Sequence, residues 1–407
     1  MGLDFLAHPF WDKYIEFEER MEAYDKIFTI LERIIHIPMH QYARYFERFR
    51  QLAQSRPVEE LVSADVLAEF QAALNIESDS SLKARNNLEV ERELRTKIDN
   101  FHLEIFNRTQ TETTKRWTYE QEIKRPYFHV TELDEPQLVN WRKYLDFEET
   151  EGDYQRIVFL YERCLVSAAY YDEFWLRYAR WMLTQPHKEE EVRNIYIRAS
   201  CLYAPISRPI VRLQYARFEE MSGRVDVAQA IHEAILIPLP NHLEAIVSWA
   251  NLQRRQFDLD AAIAVYSSQV SSQAINDQTK GALVAEWARL LWRIKGSAEE
   301  ARQLYQKNLH WYLDVQAFWD SYLKFEIEQP TTAEAETKQH TRIKQVYDDI
   351  RRRANLPKEV VSELSQVYMD YLLRRGGKDA TKEYMQIDRE INGYVLLPRN
   401  LLTSVRL

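Results

Sequence analysis

The stretch from Trp141 to Leu165, WRKYLDFEETEGDYQRIVFLYERCL, reads as two amphipathic helices separated by a break at Gly152. In each half, apolar residues recur three and four positions apart, which places them on one face of a helix. The glycine predicts a tight turn that folds the second helix back, antiparallel to the first. A hairpin of this kind cannot bury all of its apolar surface alone, so the stretch predicts a unit that stacks on further units.

The same register occurs from Trp11 to Ile35, WDKYIEFEERMEAYDKIFTILERII. Weaker copies follow the one at Trp141 at intervals of 34 to 39 residues, the length of a helix–turn–helix repeat. The sequence therefore predicts an all-α fold, an α-solenoid of stacked helical hairpins, with Trp141 wedged between neighbours. The repeat anchors are Trp11, Tyr14, Glu18, Arg33, Trp141, Tyr144, Glu148, Tyr161, Arg163, Trp175, Tyr178, Trp319 and Tyr322.

Acidic and basic anchors are predicted to pair within the two best-matched hairpins. Glu148 and Arg163 are 15 residues apart, and Glu18 and Arg33 have the same separation. Antiparallel packing can bring residues at this separation together, so we expect an ion pair in each hairpin that sets its register.

Composition limits the class of protein. With 45% hydrophobic and 13% aromatic residues among 407, the chain can bury a sizeable core, which argues against disorder. A net charge of −9 is not typical of a protein that wraps nucleic acid along its whole surface. Two cysteines leave no disulfide framework and favour a reducing compartment. No run approaches the roughly 18 apolar residues of a membrane span, and the first residues do not resemble a secretory signal.

No catalytic or cofactor-binding motif is recognisable in the sequence. The glycine-rich nucleotide-binding patterns, the HExxH zinc motif and the GxSxG nucleophile motif do not occur. Cys164 and Cys201 fall on apolar faces of second helices and are expected in the core. We therefore expect no enzyme activity, cofactor, metal or small-molecule substrate.

The repeats are interrupted once, where Pro57 and a cluster of Ser and Asp break the period. A long charged helical pattern follows, expected from about Leu82 to Thr109, and then an extended connector. The predicted parts are residues 1–54 (first repeat and start of the second), 55–81 (irregular insertion), 82–134 (long helix and connector), 135–392 (C-terminal repeats) and 393–407 (apolar tail).

The tail follows a helix-stop signal and contains Pro398, so it cannot simply extend the last helix. An uncovered apolar segment is a liability. Two interpretations stay open: the tail caps its own last repeat, or it docks on a partner subunit. The possible dimer-interface residues are Tyr394, Val395, Leu396, Leu397, Leu401 and Leu402.

Basic residues cluster twice near the end of the chain, in RRRANLPK and RRGGK. Either cluster can contact RNA phosphates or an acidic protein surface, or form a solvated face near a helix end, where cations are favoured. No aromatic RNA-reading motif accompanies them, so we expect RNA contact to be indirect or weak. The possible contact patch comprises Arg351, Arg352, Arg353, Arg374, Arg375 and Lys378.

The repeat pattern, W-x2-Y-x3-E in the first helix and Y-E-R-x-L at the end of the second, resembles the half-a-TPR (HAT) repeat. GLDFLAHPFWDKYIEFEER, RIIHIPMHQYARYFERF and KRWTYEQEIKRPYFHVTELDEPQLVNWRKYLDFE further resemble the pre-mRNA-processing factor 39 family of U1 snRNP-associated splicing factors. The resemblance extends from Gly2 to about Tyr266 and more loosely to the end. Its most specific part is Arg125–Val130, because that segment is not repeat consensus.

The resemblance implies a nuclear, non-enzymatic scaffold of the U1 snRNP that acts in pre-mRNA splicing and 5′ splice-site recognition. It implies contact with U1 snRNP proteins and dimerisation through the C-terminal repeats, as a homodimer or with a paralogue. Family members carry a further N-terminal HAT block, so the chain is interpreted as a fragment or a reduced member. Two alternatives stay open: a HAT scaffold of another RNA-processing complex, such as 3′-end cleavage, and direct RNA binding through the basic clusters.

Overall fold

The computed structural model describes residues 2–79, 87–332 and 335–393, and all regular secondary structure within these ranges is helical. This confirms the predicted all-α class. The helices are α1 (His8–Arg20), α2 (Tyr24–Ile34), α3 (Tyr42–Gln54), α4 (Ala64–Asp79), α5 (Asn87–Glu122), α6 (Glu135–Glu151), α7 (Tyr154–Ser167), α8 (Asp172–Leu183), α9 (Glu189–Arg198), α10 (Ile210–Met221), α11 (Val225–Leu236), α12 (Leu243–Gln256), α13 (Leu259–Ser271), α14 (Asp277–Arg293), α15 (Ala298–Asn308), α16 (Gln316–Glu328), α17 (Glu336–Arg352), α18 (Lys358–Arg375) and α19 (Ala380–Asn392).

The chain divides into two compact units, residues 1–178 and 179–407, with α8 running through the division. In the first unit α1 packs against α2, α2 against α3, α5 against α6, and α6 against α7. In the second unit successive hairpins are α10–α11, α12–α13, α14–α15, α16–α17 and α18–α19. First helices of neighbouring hairpins also touch, as α14 does with α16 and α16 with α18. This is the stacking of a solenoid.

The turn in the hairpin that opened the sequence has the predicted form. Gly152 ends α6 with φ of +81°, a left-handed conformation that glycine adopts without steric cost. The next residue, Asp153, caps α7 by accepting hydrogen bonds from the backbone N–H groups of Gln155 and Arg156. The sequence thus ends one helix and starts the other within two residues.

The interrupted repeat differs from expectation in two ways. Helix α4, 16 residues long, occupies part of the segment expected to be loops around a short helix. Helix α5, 36 residues long, runs past Thr109, its expected end, to Glu122. The apolar pattern did not predict this continuation because the buried face of α5 carries polar residues there. Thr113 donates a hydrogen bond to the backbone carbonyl of Thr109, and Arg116 binds carboxylates. The division into five parts stays a prediction.

The four tryptophans named as repeat anchors lie in the core, each at most 3% exposed. Each of the units has its own apolar cluster around such residues, Trp11 in the first and Trp319 in the second. Across the described ranges, no helix combines the length and the apolar character needed to cross a bilayer.

Candidate interaction surfaces

Tyrosine pairs join neighbouring hairpins. In each pair, a tyrosine from the second helix of one hairpin stacks on a tyrosine from the first helix of the next, with ring centroids 4.2–5.6 Å apart. Helix α5 takes the second-helix place for the interrupted repeat. The pairs are Tyr119 with Tyr144, Tyr161 with Tyr178, Tyr196 with Tyr215, Tyr305 with Tyr322, and Tyr347 with Tyr368.

Three of these stacks are flanked by a buried ion pair with a fixed spacing. The first helix of the hairpin carries Tyr-x-x-Phe-Glu, and the helix packed on it carries Arg-x-x-Tyr. The arginine binds the glutamate, and beside this ion pair the two tyrosine rings stack on each other. The arginine also lies over the phenylalanine ring at 5.1 to 5.7 Å. The pairs are Arg116–Tyr119 with Tyr144–Glu148, Arg193–Tyr196 with Tyr215–Glu219, and Arg302–Tyr305 with Tyr322–Glu326.

The contact between α5 and α6 illustrates the geometry. Arg116 Nε and Nη2 donate to the two carboxylate oxygens of Glu148 at 2.7 and 2.9 Å, and both side chains are at most 2% exposed. Burial alone would lower the pKa of Arg116, but the hydrogen bonds and charge of Glu148 outweigh it and raise that pKa. Burial raises the pKa of the Tyr144 phenol, whose hydroxyl donates to Glu120. The arginine therefore stays charged, and removing one partner would strand a buried charge.

A second cation comes from the start of the hairpin's own second helix or from the residue that caps it. Arg156 lies 3.4 Å from Glu148, Arg224 lies 3.5 Å from Glu219, and Arg342 lies 3.5 Å from Glu326. Each buried glutamate is thus held between an arginine of its own hairpin and an arginine of the preceding helix.

The predicted ion pair of Glu148 with Arg163 is wrong. Arg163 instead binds the carboxylate of Glu120 on α5 at 2.6 and 2.7 Å, and Asp4 at 3.2 Å. Glu148 lies one turn before the end of α6 and therefore meets Arg156 near the start of α7. Arg163 lies about 10 Å farther along that helix, too far to reach it.

The pair of Glu18 with Arg33 does not form either. The carboxylate of Glu18 has Lys26 Nζ at 3.6 Å, in the place that Arg156 takes beside Glu148. Arg33 lies over the Trp11 ring at 5.7 Å, much as Arg163 lies over the Trp141 ring at 6.0 Å. The equivalence of the two hairpins thus extends to contacts that the sequence comparison did not use.

The fourth Tyr-x-x-Phe-Glu motif, Tyr14–Glu18 on α1, has no helix in front of it among the described residues. Tyr14 is 40% exposed and Phe17 55% exposed, whereas Tyr144 is 2% exposed. Glu18 is 5% exposed, and its Oε2 atom has no hydrogen-bond partner. We call the surface formed by Tyr14, Phe17 and Glu18 the α1 face.

The two basic clusters lie at opposite ends of a helix pair. Tyr347 stacks on Tyr368, and His340 near the start of α17 stacks on Tyr371 near the end of α18, so the two helices are antiparallel. This corrects the expectation of one contact patch, because Arg351–Arg353 at the end of α17 are separated from Arg374–Lys378 by the length of the pair, about 25 Å.

The first of these clusters is partly neutralised. Arg351 binds Glu390 at 2.7 Å, and Arg353 binds Asp349 at 3.0 Å. In the second cluster, Arg375 donates to the backbone carbonyl of Ile327 at 3.3 Å. All six residues of the two clusters are nevertheless exposed, so contact with RNA or with an acidic surface stays a prediction.

The apolar tail lies outside the described residues, which end at Gly393, so Tyr394 to Leu402 stay a predicted interface. Of the two cysteines, Cys164 is fully buried, and burial raises the pKa of its thiol. Cys201 is exposed, contrary to expectation, because it lies in a π-helical turn, Ala199–Tyr203, where the α-helical face no longer holds.

Sequence reasoning missed the arginine side of the contacts between hairpins. Arg116 lies outside the best-matched repeats, in a helix whose end was placed too early. The signal was present, because Arg-x-x-Tyr and Tyr-x-x-Phe-Glu each recur along the chain. A search for recurring pairs between hairpins, rather than within one, would have found it.

Family models match two parts of the chain. One described as the PRP39 C-terminal HAT repeat covers residues 114–255, and one described as the PRP39 N-terminal HAT repeat covers residues 1–51. Pre-mRNA-processing factor 39 of Schizosaccharomyces pombe is 50% identical over 97% of the chain, and the chain spans 66% of that relative's length.

Two more distant similarities concern the complex and the fold. The U1 small nuclear ribonucleoprotein component PRP42 of Saccharomyces cerevisiae is 21% identical over 80% of the chain and 62% of its own length. The crystal structure of CSTF-77 matches with a TM-score of 0.60 at 12% identity, covering 98% of the chain and 76% of that protein. At that identity the structural match supports the fold alone.

Proposed function

Since the chain belongs to the pre-mRNA-processing factor 39 family, we propose that it is a non-enzymatic nuclear scaffold of the U1 snRNP. In this role it acts in pre-mRNA splicing and 5′ splice-site recognition and contacts U1 snRNP proteins. The relative PRP42, named as a U1 component, supports the choice of complex. The observation that carries the proposal is the combination of stacked tyrosines with a buried Arg–Glu pair, which recurs at three junctions between neighbouring hairpins. An array fixed in this way presents extended surfaces rather than a reaction centre.

Co-purification tests the choice of complex. The tagged chain is isolated from its source cells, and small nuclear RNAs and proteins are quantified in the eluate. We expect enrichment of U1 RNA and U1 proteins over those of other snRNPs, and loss of that enrichment in Trp141→Ala, which removes a wedge 1% exposed. Enrichment of 3′-end cleavage factors without U1 RNA would favour the alternative scaffold.

Dimerisation through the C-terminal repeats forms part of the proposal, with a second copy or a paralogue as partner. It is supported by the apolar sequence of the tail, which needs cover. Light scattering of the purified chain is expected to give a dimer, and deletion of the residues after Gly393 should raise the monomer fraction. The control Ile237→Asp, at a site 83% exposed, should leave the mass unchanged. A mass near 48.7 kDa at micromolar concentration would contradict self-association.

Direct RNA binding is the second candidate function, and the six exposed basic residues at the two ends of the α17–α18 pair favour it. We expect any RNA contact to be weak, because ion pairs engage Arg351 and Arg353. Affinity for a short single-stranded RNA should then fall steeply with salt. Tight binding that Arg374→Gln and Arg375→Gln weaken at constant salt would instead favour a direct RNA-binding role.

A further inference from the structure

An exposed tryptophan lies close to the basic cluster at the end of α17. Trp311, in the turn between α15 and α16, is 75% exposed. The backbone N–H of Asn355, in the turn after α17, donates to the backbone carbonyl of Leu313 at 2.8 Å, so the two turns are in contact. Trp311 and Arg353 are each two residues from this hydrogen bond and therefore border the same surface.

Arginine side chains line a cavity next to these turns. The cavity has a volume of about 180 Å³ and lies between α15 and α17, the second helices of neighbouring hairpins. Its lining includes His310, the residue before Trp311, together with Arg302, Arg342 and Arg353. The surface around the indole thus combines a flat aromatic ring with several guanidinium groups.

The side chains that line the cavity carry more positive than negative charge. Two carboxylates also face it: Arg302 donates to Glu326 at 2.6 and 3.1 Å, and Arg353 binds Asp349 at 3.0 Å. Arg342 is the third cation, and its Nε atom lies 3.5 Å from Glu326 without a hydrogen-bond partner among the described residues. An anion in the cavity would therefore find an unused donor and one positive charge in excess. Guanidinium groups are suited to phosphate, which accepts paired hydrogen bonds from them.

The surroundings of Trp311 are polar, which distinguishes this site from an apolar docking patch. Among the described residues between 300 and 360, Trp311 is the only large hydrophobic side chain that is exposed. Its exposed neighbours in the two turns are polar or charged and include Lys307, His310, Asp314 and Asn355. A lone exposed ring beside cations suits a nucleotide, because every base has an aromatic face and every phosphate attracts a cation.

We propose that Trp311 and the arginines beside it bind single-stranded RNA. A base stacks on the indole, and the adjacent phosphate enters the cavity and binds Arg342 and Arg353. This site deepens the second candidate function, direct RNA binding, on which it rests. It supplies the aromatic contact and assigns the binding to the basic cluster of α17 rather than to the one at Arg374–Lys378. Stacking and phosphate contacts tolerate any base, so we expect little sequence preference.

Fluorescence anisotropy of a labelled ten-nucleotide oligouridine tests the proposal while the full chain is added at constant salt. We expect saturable binding that Trp311→Ser weakens about tenfold, whereas Trp311→Phe, which keeps a ring, retains most of the affinity. Arg353→Gln should weaken binding and reduce its dependence on salt. The matched control Arg293→Gln removes an arginine that is also ion-paired and equally exposed, 56% against 55%, but precedes α15 whereas Trp311 follows it. This control should leave the affinity unchanged.

Four results would overturn the proposal, once circular dichroism has verified that the variants fold. Equal affinity for the chain and Trp311→Ser would remove this site and leave RNA binding through other basic residues standing. Absence of saturable binding at low salt would remove both the site and the second candidate function. Binding of a labelled decaglutamate peptide in place of RNA, lost in Trp311→Ser, would identify an acidic protein segment as the ligand. A dimeric chain that Trp311→Ser converts to a monomer in light scattering would place the indole in the subunit interface.

Discussion

The hairpins α1–α2 and α6–α7 share one sequence register and differ in what lies in front of them. Helix α5 covers α6, so Tyr144 is 2% exposed and Arg116 holds Glu148. The corresponding surface of α1 has Tyr14 at 40% exposure and a glutamate with Lys26 as its only ion-pair partner among the described residues. Two hairpins with the same sequence register therefore carry the same side chains on their first helices. The helix that precedes each hairpin decides whether those side chains are buried.

The difference also separates two kinds of stability. The repeat tryptophan is buried to nearly the same extent in both regions, since Trp11 and Trp141 are 3% and 1% exposed. Of the two Tyr-x-x-Phe-Glu motifs, only the one on α6 is covered by a preceding helix among the described residues. Substitutions at equivalent positions should therefore cost the same when they act inside a hairpin and differ when they act between hairpins.

The largest expected effect is the loss of stability when the buried tryptophan is removed, and this loss should be equal in the two regions. Trp11→Ala and Trp141→Ala should each lower the free energy of unfolding of the first unit by about 3–5 kcal/mol, because each leaves a large cavity. Urea unfolding followed by circular dichroism measures both. A cost at Trp11 less than half of that at Trp141 would show that the first hairpin is loosened internally, and the comparison would fail.

A smaller effect should distinguish the regions. Tyr144→Ala removes a buried ring stacked on Tyr119 at 5.0 Å and should cost about 3 kcal/mol. Tyr14→Ala removes a ring that is 40% exposed and should cost about 1 kcal/mol. The same unfolding experiment applies, and equal costs would mean that α5 contributes little to the burial of α6.

The smallest effect concerns the turns. Glu22 occupies the position equivalent to Gly152 and has φ of +54°, a left-handed conformation that a side chain makes costly. Glu22→Gly should therefore raise the melting temperature, by a gain of about 1 kcal/mol, whereas Gly152→Ala should lower it by a similar amount. Calorimetry of both variants measures the shifts. Destabilisation by Glu22→Gly would indicate that the first turn is not strained.

The sequence allowed the helical class, the hairpin register and the buried tryptophans to be predicted, because these follow from periodicity along one segment. The long helix α5 was cut short because its buried face carries Thr113 and Arg116, which a hydrophobic pattern does not recognise. Arg163 was assigned as the partner of Glu148 from their spacing within one hairpin. That spacing carries no information about the helix packed in front of the hairpin, which supplies the actual partner, Arg116. Pairing between hairpins depends on which segments stack, and a single segment does not encode it.

Two double-mutant cycles test most directly the claim that the preceding helix completes the contact. One pairs Arg116→Met with Glu148→Gln, and the other pairs Lys26→Met with Glu18→Gln, each measured by urea unfolding of the full chain. We expect a coupling of about 3 kcal/mol for the first pair, which is buried, and below about 0.5 kcal/mol for the second, whose lysine is 71% exposed. Equal couplings, or a larger one at Glu18, would contradict the account.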